Sequence, residues 1–145
     1  MTISDLKKRS NNFVQNLDRH IEQIVNYNED LEALNKQQLK SSKLSNDQSI
    51  TPPYNRRYAI WKSFAYPSSY ADGKVNLYLT GDMYDNIDIK AKGNDYEIVS
   101  LLPYVANLIT KYSGKIFGIA PSNQNKAKAI TTPLLKERYR RNVLA

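Results

Sequence analysis

Cysteine is absent from the 145-residue chain. That absence excludes a disulfide framework, thiolate metal sites and any cysteine nucleophile. Histidine occurs once, as His20, with Asn16 and Ile24 at one-turn spacing. No second imidazole or thiolate can complete a zinc set, so His20 reads as a polar position beside an apolar helix stripe. Serine or cysteine triads lack either a good base or the nucleophile. Glycine is scarce, and Gly81 and Gly93 stand alone, with no phosphate-cradling loop around either. No stretch approaches the roughly 20 apolar residues of a membrane span. The first twelve residues are polar and lack the apolar run of a signal peptide, so a soluble protein made without export is expected. Asp82, Asp85 and Asp88 recur at every third position, but no calcium-loop pattern accompanies them. Asp82 and Asp85 suit the start of a short helix, and Asp88 the polar face of a strand. No enzymatic activity, metal or cofactor is expected.

What is present begins with charge. The net charge is +7, and residues 111–145 hold 8 basic and 1 acidic side chains, so this quarter carries the whole excess. Lys126, Lys128, Lys136, Arg138, Arg140 and Arg141 are therefore candidates for contact with DNA or an acidic protein. The plainer reading is a solvated end that favours solubility.

The length fits one domain over 1–145. Periodicity predicts a long N-terminal helix over 3–40, opened by a capping box of Thr2 and Asp5. Its apolar stripe runs through Leu6, Phe13, Leu17, Ile21, Ile24, Val25, Leu31 and Leu34. Asn28-Glu29-Asp30 can start a second helix, which would break the first near Tyr27. Residues 41–53 form a polar linker closed by two prolines, the best candidate for a mobile connector. Six aromatics follow within 17 residues, from Tyr54 to Tyr70, and Tyr58, Trp61 and Phe64 can share a helix face.

Val75 to Leu79 alternates as a strand, and Asp82 is placed to cap a helical turn through Ile87. Ile87 to Lys92 and Asp95 to Leu101 alternate around a Gly93-Asn94 turn, the pattern of a β-hairpin. Pro103 and Gly114 bracket a helix whose Val105, Leu108, Ile109 and Tyr112 recur at helical spacing. Residues 115–125 read as irregular. A final helix, with Pro133 near its start, is predicted within a basic tail over about 122–145. The expected class is α+β, with the long helix, a small antiparallel sheet and one or two covering helices. Eleven tyrosines against three phenylalanines suggest interfaces, where tyrosine combines contact area with a wettable hydroxyl.

Residues 75–119 resemble the tail-completion, or virion morphogenesis, proteins of long-tailed bacteriophages. The likeness is an ordered series. Leu77-Tyr78-Leu79-Thr80-Gly81 ends a strand, and Asp82-Met83-Tyr84-Asp85-Asn86-Ile87 makes a short helix ending in Ile. A hairpin follows, then Pro103-Tyr104-Val105-Ala106 opens a helix. Gly114 comes next, then the loop Ile116-Phe117-Gly118-Ile119-Ala120-Pro121. Upstream, Tyr58 to Lys62 is similar to the aromatic, basic stretch preceding Thr-Gly in such proteins. Ala120-Pro121 stands where family members usually carry an Arg-Pro-type pair.

The resemblance implies a virion structural protein at the head–tail junction or top of the tail, assembled in the host bacterial cytoplasm. It implies a homo-oligomeric ring, six-fold by preference, in contact with other neck, portal or tail proteins and non-specifically with packaged DNA. Trp61, Tyr78, Thr80, Gly81, Tyr84 and Tyr104 are its expected interface residues, with Tyr84→Ala expected to weaken assembly more than folding. The alternatives are a small basic nucleic-acid-binding protein, or another ring or terminator protein of the tail.

Overall fold

The computed structural model describes residues 1–93 and 95–145. The expected α+β class holds: seven α-helices and one two-stranded antiparallel sheet lie among the described residues. Where a helix over 3–40 was expected, with a break allowed near Tyr27, there are three: α1 (Ile3–Gln15), α2 (Leu17–Val25) and α3 (Glu29–Lys40), so the break at Tyr27 is found and one at Asn16 is added. The capping box forms as predicted, with Asp5 N–H donating to Thr2 Oγ1 at 3.1 Å and Thr2 N–H to Asp5 Oδ2 at 2.9 Å. Asparagines make the breaks. The Asn16 amide donates to the Asn12 carbonyl at 2.8 Å, a local bond that competes with helix continuation. Tyr27 turns into the left-handed region at φ 55°, and Asn28 caps α3 by accepting from Leu31 N–H at 3.1 Å.

The break at Tyr27 serves the sheet. Strands β1 (Ile87–Lys92) and β2 (Asp95–Ser100) pair in the expected hairpin, with Ile89 opposite Ile98. Gly93 takes the positive φ that the turn needs; Asn94, its predicted companion, lies outside the described residues. The outer edge of β1 is covered by the helix junction. Tyr27 N–H donates to Ile89 O at 2.8 Å, while Ile89 N–H reaches Glu32 Oε1 at 3.1 Å and Ala91 N–H reaches Asn26 Oδ1 at 2.7 Å. An edge that could template pairing with another chain is thereby satisfied internally.

The 41–53 segment is a built element rather than a free connector. Lys43 and Ser49 form an isolated bridge, and Leu44 and Ile50 are buried. Ser45 N–H donates to Lys115 O at 2.7 Å, and Asp47 Oδ2 accepts from Ser122 N–H at 3.0 Å. Helix α4 (Arg56–Ala65) and two 3-10 turns, Pro67–Ser69 and Ala71–Gly73, follow. The strand expected over Val75–Leu79 is absent: Leu77 sits at φ 54° and no partner strand pairs with the segment. Gly81, not Asp82, is the N-cap of the short helix α5 (Asp82–Asp85).

Helix α6 (Val105–Tyr112) is as predicted. After 3-10 turns at Gly114–Ile116 and Pro121–Asn123 comes α7 (Gln124–Tyr139), extended by a π-helical turn, Arg140–Leu144. The helix therefore starts nine residues before Pro133, the residue expected near its start. Pro133 lies inside α7 on an exposed position, where the lost N–H removes one hydrogen bond without ending the helix. The basic end is thus a packed helix, not a tail: α7 lies on α2 and α3, and its final turn on α1. The main core gathers Leu31, Leu34 and Leu39 of α3, Ile87, Ile89 and Ile98 of the hairpin, Val105 and Tyr112 of α6, and Ile116.

Candidate interaction cleft

Residues 75–79 escape strand geometry because side chains, not a neighbouring strand, satisfy their backbone. Tyr54 hydroxyl accepts from Leu77 N–H at 3.0 Å, and Asn76 Oδ1 from Tyr78 N–H at 3.1 Å. Ser69 Oγ donates to Leu79 O at 2.8 Å, and Asn76 Nδ2 to Ser69 O at 3.0 Å. Tyr84 hydroxyl donates to Asn76 O at 2.5 Å. At the hub is Lys62, fully buried on α4, whose Nζ donates to Asn76 Oδ1 at 2.8 Å and lies 4.8 Å from the centre of the Tyr54 ring. No carboxylate pairs with it among the described residues. Burial lowers the Lys62 amine to about 8 and raises the Tyr54 hydroxyl to about 12. Burial also raises Tyr84 far above the ordinary phenol value.

This rigid segment forms one wall of a cleft of about 540 Å3, within the size range of small-ligand and side-chain pockets. Tyr54 and Tyr58 line it from the α4 side, Leu77 and Tyr78 from the irregular segment, and Tyr104, Leu108 and Tyr112 from α6 and its start. Asp82 and Lys111 add one charge of each sign. Burial raises the Tyr58 and Tyr104 hydroxyls, the latter helped by the Asp82 carboxylate. Both phenols stay protonated donors at neutral pH. The surface is apolar and aromatic with hydroxyl edges, suited to a side chain or short segment of another protein.

Four of the six expected interface residues meet here: Tyr78, Thr80, Gly81 and Tyr104 all line the cleft. Gly81 adopts φ +94°, and a Cβ on it would stand 3.0 Å from the Tyr78 hydroxyl, so the Thr80-Gly81 pair permits both the turn into α5 and the fold of the Tyr78 ring over it. Trp61 is not in the lining. It lies on the outer face of α4, 47% exposed, between Tyr58 and Tyr66 at ring-centre distances of 5.6 and 5.5 Å. Phe64 continues that face and is 84% exposed. Tyr84 is a correction: at 3% exposure it is core, stacked edge-on against Tyr78 at 4.9 Å, so its truncation acts on folding first.

Of the basic candidates, Lys126, Lys128, Lys136, Arg140 and Arg141 are exposed along α7 and its terminal turn. Arg141 pairs with Glu137 at 2.9 Å, and half-buried Arg138 donates to Gln23 Oε1 at 2.5 Å. Asp82, Asp85 and Asp88 do not converge; no group of three potential metal ligands exists among the described residues. No helix among them is long and apolar enough to cross a membrane. Sequence reasoning missed Lys62, Asn76 and Ser69, the residues that shape the cleft wall. The lone polar Asn76 within an otherwise apolar Val75–Leu79 run was the available signal. Comparison with family models, with curated proteins and with solved structures gives no match.

Proposed function

We propose that this chain is a structural subunit of a tailed-phage virion, forming a homo-oligomeric ring at the head–tail junction or top of the tail. The observation that carries the reading is the cleft. Residues singled out by the resemblance, Tyr78, Thr80, Gly81 and Tyr104, converge on one concave aromatic surface. Beside it, Trp61 and Phe64 present an exposed aromatic ridge on α4. A ring needs two different patches on each subunit, because its interfaces are heterologous and close by rotation. A ridge and a cleft of matching chemistry meet that requirement. Exposed Arg56 and Arg57 on the ridge helix and Asp82 at the cleft supply opposite charges to orient the contact.

The test is the mass of the purified chain by light scattering across concentration. A closed oligomer, six-fold by expectation, that dissociates in Trp61→Ala and Phe64→Ala variants supports the reading. A monomer at every concentration, or a ring indifferent to both substitutions, refutes it. In the virion the neighbours would be other neck, portal or tail proteins.

A further inference from the structure

A second concavity, sharing no residue with the cleft, opens where the two chain ends pack together. Arg9 of α1, Arg19 of α2 and Arg138 of α7 line a hollow of about 360 Å3, with Asn12, Asn16 and His20 between them. No carboxylate side chain lines it. Arg138 uses the neutral Gln23 amide and Arg9 a backbone oxygen of Ala145. Arg19 makes no ion pair among the described residues. Like charges gathered in a hollow repel one another unless an anion enters.

His20 gives an independent indication. Its ring stacks on Phe13 at 4.4 Å, and its Nδ1 is buried without a hydrogen-bond partner. Unpartnered buried polar atoms are rare in native structures, and this one belongs to a ring that lines the hollow. The positive surface also continues outward. An adjoining open hollow shares Arg9 and Asn12 with the first and is lined by Lys7 and Lys8, with Asp5 as its single carboxylate. In the helices concerned, residues 3–25 and 124–145, ten Lys and Arg side chains face four Asp and Glu. Two joined basic hollows follow a chain of phosphates better than a single free anion.

We propose that this hollow seats a phosphate of a nucleic-acid backbone, with the Arg19 and Arg138 guanidiniums as the charged forks. Guanidinium presents paired N–H donors that match phosphate oxygens. The contact reads charge and spacing, not sequence. It does not depend on ring formation, and either property can fail while the other stands.

The experiment titrates the full chain with a short fluorescent duplex of arbitrary sequence at several salt concentrations, and separately with inorganic phosphate. With a slope of about 0.9 per phosphate contact, Arg19→Gln and Arg138→Gln should each weaken binding about eightfold at 0.1 M salt and flatten the logarithmic salt dependence by about one. Arg19→Lys should keep the wild-type slope. Lys74→Gln, an equal charge change on an exposed residue outside the hollow, should leave it unchanged. The duplex should also shift the His20 ring resonances. Unaltered salt slopes in folded Arg19→Gln and Arg138→Gln overturn the proposal. So does an equal loss in Lys74→Gln, which would reduce the effect to net charge. Phosphate that shifts His20 while duplex does not would make this a free-anion site and equally overturn it. If Arg138→Gln fails to fold, exposed Arg19, which makes no ion pair among the described residues, decides alone.

Discussion

Lys62 makes the sharpest prediction, because a buried ammonium without a carboxylate partner must write itself into the pH dependence of stability. Burial depresses the folded amine to about 8, against an ordinary 10.5. The sign follows from proton counts. Below pH 8 both states carry the proton, and the folded state bears the full cost of the buried charge. Between 8 and 10.5 the folded amine is neutral while the unfolded one still binds a proton, so stability rises with pH in this window. At 1.36 kcal/mol per pKa unit, the rise from pH 7 to 9.5 is about 2 kcal/mol. Above pH 10 the trend reverses. Tyr54, held up at about 12, and Tyr84, raised further, keep their protons in the fold while unfolded tyrosine ionises.

The assay is urea unfolding at pH 7, 8, 9 and 9.5, for the natural chain and for Lys62→Met. With a slope of about 2 kcal/mol per molar, the midpoint of the natural chain should climb by about 1 M over this range. Methionine fills much of the same volume and carries no charge. Asn76 Oδ1 keeps the Tyr78 N–H as donor, so the substitution leaves it no orphan. The variant should match or exceed the natural chain at pH 7 and lose the climb, since replacing a buried charge by an apolar group is often neutral or stabilising. A flat profile in the natural chain, or the same climb in Lys62→Met, would refute the reasoning.

Tyr84→Phe removes the donor to Asn76 O and should cost about 1–2 kcal/mol in urea unfolding. Tyr84→Ala should cost about 3–5 kcal/mol by emptying a core site, and a well-folded Tyr84→Ala with altered assembly alone would contradict its burial. Gly118 sits at φ +137°, where an added Cβ would meet Ser45 Cβ at 2.8 Å. Gly118→Ala should therefore lower the thermal midpoint by several degrees, about 2–4 °C per kcal/mol lost. Trp61→Ala should leave the urea midpoint nearly unchanged, because the ring is half exposed, while lowering the solution mass.

Local chemistry made part of the fold legible. The hairpin follows from alternation on both sides of Gly93, α6 from the spacing of Val105, Leu108, Ile109 and Tyr112, and the α1 start from Thr2 and Asp5. Each depends on residues within a turn or two of one another. The misread elements depend on distant ones. Val75–Leu79 has the alternation of a strand, yet its hydrogen bonds go to Tyr54, Asn76 and Ser69 side chains, and periodicity carries no trace of such partners. The break at Asn16 goes unread because asparagine is only mildly unfavourable within helices, whereas Asn28-Glu29-Asp30 did announce the one near Tyr27. What decides the break at Tyr27 is the open edge of β1, more than sixty residues away. Similarly, Asp47 and Gln38 anchor the 115–123 stretch: Gln38 Nε2 donates to Gly118 O at 2.8 Å, and its Oε1 accepts from Ala120 N–H at 2.8 Å.

The same contrast explains the two candidate surfaces. The cleft was half visible, since Tyr78, Thr80 and Gly81 are neighbours in the chain and Tyr104 opens the next helix. The arginine hollow was invisible, since it joins residues 9–23 to 138–142 and only the packing of α7 on α2 brings them together. Counting charge along the chain assigned the whole excess to the C-terminal quarter, whereas in space that quarter shares its field with α1 and α2. The count is correct, but the place where an anion would sit is set by the pairing of helices. Because cleft and hollow share no side chain, self-association and phosphate binding are separable by substitution. A Trp61→Ala monomer that keeps the natural salt slope for duplex, beside an Arg19→Gln ring that loses it, would establish them as two independent surfaces. A joint loss from either change would mean instead that duplex binding is a property of the assembled ring, with each subunit contributing too few phosphate contacts to hold alone.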